Sequence, residues 1–166
     1  MSLTALRALA LVWVVCCAAL VYLSSEWLPD SVAANFGQGG KPTGFTARDT
    51  YRAIMSTFVF AIPLLVYAGI VWLPRAFPRF LWLPNRDYWL SSTRRGLALN
   101  GIERLGLLIS CIVAVFAVTM HILIIRANSL SPPHFELWSR WALLVAWFAF
   151  IGAAVFVYYR RFRRAL

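Results

Sequence analysis

Four apolar runs divide this chain, and almost every charged side chain falls between them. The runs cover roughly residues 8–23, 53–73, 105–125 and 141–159, and none contains Asp, Glu, Lys or Arg. About 20 apolar residues in a helix cross the hydrocarbon core of a bilayer, because a helix bonds its own backbone N–H and C=O groups where no water can. A charge at mid-span costs about 2.5–3.5 kcal/mol on the insertion scale, which agrees with charge-free runs. The first run is short, but Leu3, Leu6 and a snorkelling Arg7 extend it. It is at the long end for the apolar core of a signal peptide, and no clear Ala-x-Ala site follows, so a retained helix is expected. The pattern predicts an all-α, polytopic membrane protein: a four-transmembrane-helix bundle forming one membrane domain over residues 1–166.

The positive charges give the bundle a direction. Eleven Arg residues lie on the side that holds both termini and the 74–104 loop, whereas Lys41, Arg48, Arg52, Arg126 and Arg140 lie in the loops 24–52 and 126–140. The richer side is expected in the cytoplasm, so both ends point inward and the two poorer loops face outward. Trp27, Tyr51, Trp138 and Trp141 fall at the outer edges of the runs, and Trp72, Trp82, Tyr158 and Tyr159 at the inner edges, where amphipathic rings favour the interface. Small residues (Ala18, Ala19, Gly69, Gly106, Ser110 and the Gly152-Ala153-Ala154 stretch) are candidate points of close helix approach.

Composition agrees: 61% of residues are hydrophobic and 13% charged, against about 25% charged in a soluble domain. The net charge of +10 lies between apolar blocks, which favours anionic headgroups or an acidic membrane subunit over nucleic acid. Cys16, Cys17 and Cys111 sit inside apolar runs and read as small hydrophobes, with no disulfide framework.

The outer loop carries the densest local signal: Leu28-Pro29-Asp30-Ser31-Val32-Ala33-Ala34-Asn35-Phe36-Gly37, then Gly39-Gly40-Lys41-Pro42-Thr43-Gly44-Phe45. Pro29 and Asp30 are expected to start a short extracytoplasmic helix, with Val32 and Phe36 on the face that packs on the bundle mouth or the outer interface. The glycines and Pro42 then turn the chain, and Thr46 to Asp49 reads as a capping box for the second span. This loop resembles the signature loop of a bacterial membrane family, the one called domain of unknown function sixteen-forty-eight. That domain also occurs in proteins similar to the immunity protein of the sporulation-delaying toxin system. Pro84-Asn85-Arg86-Asp87-Tyr88-Trp89 resembles a second family segment that follows the second span. The resemblance covers roughly residues 5–95 and implies a bacterial cytoplasmic (inner) membrane. Family members usually carry His before the Phe-Gly, where this chain has Asn35. Across the inner loop as a whole, Pro74, Pro78 and Pro84 are expected to break helix, and Phe77, Phe80, Leu81, Trp82 and Trp89 among the arginines are expected to lie along the inner membrane face or dock on a partner.

Chemistry is sparse. His121 lies near the outward end of the third run and is the candidate polar site, since a polar residue in a span is functional by default. Met120 leaves the helix on another side, and Cys111, ten residues away, is about 15 Å along the axis, so no metal set forms. A haem held by two His would need a second one in the membrane, and His134 is in a loop. His134, Glu136, Glu26, Asp30 and Asp49 show no ligand spacing, and Glu103 with Arg104 reads as a local ion pair. Neither a catalytic residue pattern nor a cofactor is predicted. The expected function is that of a non-enzymatic membrane protein working through protein or lipid contacts: an accessory subunit of a membrane complex, or an immunity- or sensor-like protein. The alternative is a small transporter or a metal- or quinone-handling protein. That alternative requires His121 to face the bundle centre with other polar groups, such as Ser110 or Thr119, rather than lipid.

Overall fold

The computed structural model describes residues 1–77 and 84–163. Pro78, Arg79, Phe80, Leu81, Trp82 and Leu83 of the loop after α2, and Arg164 of the tail, lie outside the described residues. Four long helices dominate: α1 (Leu3–Ser24), α2 (Arg48–Ala76), α4 (Arg95–Asn128) and α5 (Leu137–Arg163), with a short α3 (Arg86–Leu90) before α4. All four are long and apolar enough to cross a membrane. They overrun the apolar runs because polar turns at their ends remain helical. Ser2 caps α1 by accepting the Ala5 N–H at 3.2 Å.

Two expectations are corrected at the ends of α2. Pro74 lies inside the helix, which continues to Ala76; so close to the end, its missing N–H removes a single bond. There is no capping box: Ala47 is the N-cap and offers no side-chain bond. Thr46 instead pairs with Val32 across a sheet, and the Arg48 N–H donates to the Asp30 carbonyl at 2.9 Å.

The larger correction concerns the loop between α1 and α2. Residues expected as a short helix form strand β1 (Ser31–Phe36), antiparallel to β2 (Pro42–Ala47). The only helical turns there are two three-residue 3-10 turns, Ser25–Trp27 and Gln38–Gly40. One or two turns of α-helix are too short to hold in isolation, whereas pairing β1 with β2 satisfies the facing backbone groups of both strands. Gly39 and Gly40, both at φ 72°, supply the left-handed backbone that the reversal needs. The expected destination of the apolar residues holds even so. Val32 is buried with Leu28, Tyr51, Ile124, Ala127 and Phe135, and Phe36 packs on the same group.

Helices α1, α2 and α4 each pack on the other two. Val14, Cys17, Val21, Val59 and Ala114 form the centre of this three-helix core. Gly106 allows α2 and α4 to close up, since a Cβ there would stand 3.2 Å from Ile70. Gly69 and Gly152, expected as close-approach points, face nothing within 4 Å. Helix α5 stands apart, packed mainly on α4. Among its described residues only Phe162 is buried, and its most apolar 18-residue window has none buried.

Candidate functional site

The bundle has two ends with distinct polar clusters. At the hairpin end, α4 carries His121, fully buried between α1 and α2. Its Nδ1 is 3.0 Å from Tyr51 Oη, and its Nε2 is 3.0 Å from Ser24 Oγ. The Ser24 hydroxyl donates to the Leu20 carbonyl at 2.6 Å. With that proton committed, Ser24 Oγ accepts from His121 Nε2–H, and Nδ1 accepts from the Tyr51 hydroxyl. The chain of bonds is complete and ends on a backbone carbonyl, so it joins three helices without leaving a free base. His121 therefore faces the bundle centre with other polar groups, but its partners are Ser24 and Tyr51. Thr119 bonds the Val115 carbonyl of its own helix at 2.9 Å, and Ser110 is about 16 Å away along α4. Tyr51, expected at the interfacial belt, is buried in this cluster.

At the other end, where both termini lie, Glu103 is fully buried. It does not pair with its neighbour Arg104. Its Oε1 accepts from Arg7 Nε at 2.5 Å and from Tyr67 Oη at 2.7 Å, and its Oε2 accepts from Arg75 Nη2 at 2.8 Å. One carboxylate thus ties α1 and α2 to α4 through charge-assisted bonds. Arg104 points elsewhere, with a 3.3 Å bond to the Met1 carbonyl. The helical turn explains the difference, because consecutive residues leave a helix about 100° apart.

The two sequence motifs occupy opposite ends. In the first, Pro29 and Asp30 are exposed, and Asp30 meets Arg48 at 3.0 Å. Asn35, standing where the resembled family usually has His, is also exposed, opposite Gly44 in the hairpin. Phe36 pairs with Pro42 and stacks near Phe135 at 5.2 Å. Gly37 N–H donates to the Lys41 carbonyl at 2.9 Å and closes the turn. Gly40 is buried against the 126–140 loop: Phe135 N–H donates to its carbonyl at 2.9 Å, and a Cβ there would fall 2.1 Å from Phe135 O. Asn128 at the end of α4 clamps the hairpin. Its Oδ1 accepts the Ala33 N–H at 2.8 Å and its Nδ2 donates to the Ala33 carbonyl at 3.0 Å, as a neighbouring strand would.

The second motif is a latch on α5. Asn85 adopts the left-handed conformation at φ 54° ahead of α3. Trp89 meets Phe162 edge to face with ring centres 4.7 Å apart, and donates its indole N–H to the Phe162 carbonyl at 3.1 Å. Phe162 sits over Gly101, where a Cβ would meet its ring at 2.9 Å. Tyr88 carries the Arg94 guanidinium 4.0 Å from its ring centre. The expectation that this segment docks outward is corrected for Trp89, whose partners are in the chain itself. Pro84 is half-buried just before the latch.

Ser24, Tyr51, Tyr67 and Asn128 escaped the sequence pattern, since nothing in one sequence tells which polar residues near span ends turn inward. Arg7 and Glu103 carried a signal: two opposite charges at the same end of two apolar runs. At the hairpin end the acidic residues Glu26, Asp30 and Glu136 each meet an arginine (Arg52, Arg48 and Arg126). Among the described residues, no three His, Cys, Asp or Glu side chains come together to hold a metal. No family model, no curated protein and no solved structure matches this chain.

Proposed function

We propose that the chain is a non-enzymatic, multi-pass protein of a bacterial inner membrane, with both termini cytoplasmic. It works through contacts with other membrane proteins and with lipid, as an accessory subunit or an immunity- or sensor-like protein. The observation that carries this reading is α5. A span whose whole apolar window is unburied presents Val145, Phe148, Phe156 and Val157 to the plane of the bilayer. Both polar clusters, by contrast, are consumed in joining α1, α2 and α4, which leaves surfaces rather than a reactive centre as the working parts. The resemblance of the two loop motifs supports the immunity- or sensor-like form, and the distribution of arginines supports the sidedness.

A second reading, a small transporter or a metal- or quinone-handling protein, is favoured by the inward position of His121 between Ser24 and Tyr51. One experiment separates the two. A tagged chain is purified from its own host in a gentle detergent, and co-purifying proteins, metals and quinones are quantified. The expected result is a stoichiometric membrane partner, lost on Phe148→Ala with Val145→Ala and kept on His121→Asn. A lone chain with a stoichiometric metal or quinone that His121→Asn removes would establish the second reading instead.

A further inference from the structure

A trough runs along α4 on the side away from the three-helix core. Its first part, a cavity of about 530 Å³ between α1 and α4, is lined by Leu6, Leu9, Leu107 and Leu108 and has Arg104 at its terminal end. The second part, about 400 Å³ between α4 and α5, is lined by Val115, Phe116, Leu143 and Trp147 and reaches Thr119. Trp13 and Cys111 line both parts, so the two adjoin at these side chains. From Arg104 to Thr119 the trough extends about 22 Å at 1.5 Å per residue. One leaflet of hydrocarbon is about 15 Å deep, so a chain entering beside Arg104 has apolar walls past the bilayer midplane.

The charge at the entrance is positive. Glu103 spends all its bonds on Arg7, Arg75 and Tyr67, and those two arginines over-compensate it. Arg104 adds to the excess, and it is exposed. An apolar slot that begins at an uncompensated guanidinium at headgroup level is complementary to a molecule with an anionic head and a long apolar tail. A partner helix would match the slot but not the charge, and a zwitterionic lipid would match the slot but set a cation of its own against the arginines.

We infer that this trough is a binding site for one anionic phospholipid, its phosphate on Arg104 and an acyl chain along Leu6, Leu108, Trp13 and Cys111. The inference rests on the membrane-embedded, contact-making reading proposed above and names one of its partners. The phosphate gains charge-assisted hydrogen bonds from a planar donor, and the tail fills space that mobile bulk lipid would fill less well.

Native mass spectrometry of the full chain in mild detergent tests this, with phosphatidylglycerol and phosphatidylcholine of equal chain length supplied together. One phosphatidylglycerol per chain is expected to survive gas-phase activation, favoured about fivefold or more over phosphatidylcholine. Arg104→Gln should abolish that preference. Arg95→Gln, an equal loss of charge on the first turn of α4 and away from the trough, should leave it. Leu108→Trp, at a wall residue already 50% exposed, should remove the bound lipid while the chain stays monodisperse. The inference is overturned if neither lipid is preferred, if Arg95→Gln acts as strongly as Arg104→Gln, if Leu108→Trp has no effect, or if a second copy or a partner helix occupies the trough. Alkaline carbonate extraction separates the two levels. A chain released from membranes sinks the membrane reading itself, whereas an inserted chain without lipid preference sinks only this site.

Discussion

Glu103→Gln is the most informative single change, because it removes one charge and almost no volume. Losing one partner of a fully buried ion pair costs about 3–5 kcal/mol, because the other charge is stranded. A fully exposed pair is worth about 0–1 kcal/mol. Glu103 has no exposed side-chain surface, but the side chains of Arg7 and Arg75 retain 51% and 38% of theirs. Both guanidiniums can therefore recover water or headgroup contacts when the carboxylate goes. A glutamine oxygen can still accept from Arg7 and Tyr67, but its amide N–H then faces the Arg75 donor now 2.8 Å away. The cost should fall between the limits, at about 2 kcal/mol. Equilibrium unfolding in mixed micelles of mild detergent and dodecyl sulfate measures it. Arg95→Gln, on the first turn of α4 and outside this cluster, is the control and should stay within about 0.5 kcal/mol of the parent. If Glu103→Gln matches the parent, or if the control is as damaging, the cluster does not hold the terminal end of the bundle together.

Two further changes probe the other end. Tyr51→Phe should cost about 1 kcal/mol in the same unfolding assay, in the range of hydrogen bonds between membrane helices, since it leaves His121 Nδ1 without a donor. A double change with Ser24→Ala should cost less than the sum of the two single changes, because both act on one imidazole. Gly40→Ala should speed amide exchange through residues 31–36, 42–47 and 134–135 while the helical amides keep their protection, because the hairpin loses its seat on Phe135 but the bundle does not depend on it. Unchanged exchange in the hairpin would refute that seat.

The four long helices are legible in the sequence because uninterrupted apolarity over about 20 residues is one crude signal that needs no knowledge of neighbours. The hairpin is not legible by the same means. Val32 and Phe36 satisfy a helical spacing, and what decides for strand is a partner six to sixteen residues on, together with a side chain, Asn128, 95 residues from Ala33. Glu103 shows the same limit from the other direction. Its sequence neighbour Arg104 invites a local pair, yet the rotation of the helix sends the two side chains apart, and the real partners come from α1 and α2. His121 was visible as an oddity, but Ser24 and Tyr51 looked like ordinary edge residues. The glycine-rich turn and Trp89 were singled out by motif, while what they touch, Phe135 and Phe162, follows from packing between distant segments.

The pairing of Arg7 with Glu103 also bears on how the chain is made. Synthesis delivers α1 first, and its charged partner emerges 96 residues later. In the interval α1 and α2 can associate, but neither Arg7 nor Arg75 has its carboxylate, and His121 has not yet arrived to meet Ser24 and Tyr51. Arrival of α4 then closes both ends of the core in one step. Helix α5, which adds little burial, can dock on α4 last. A ribosome stalled after α2 should therefore hold two loosely joined helices that the insertion machinery or a chaperone must retain, whereas one stalled after α4 should hold an assembled core.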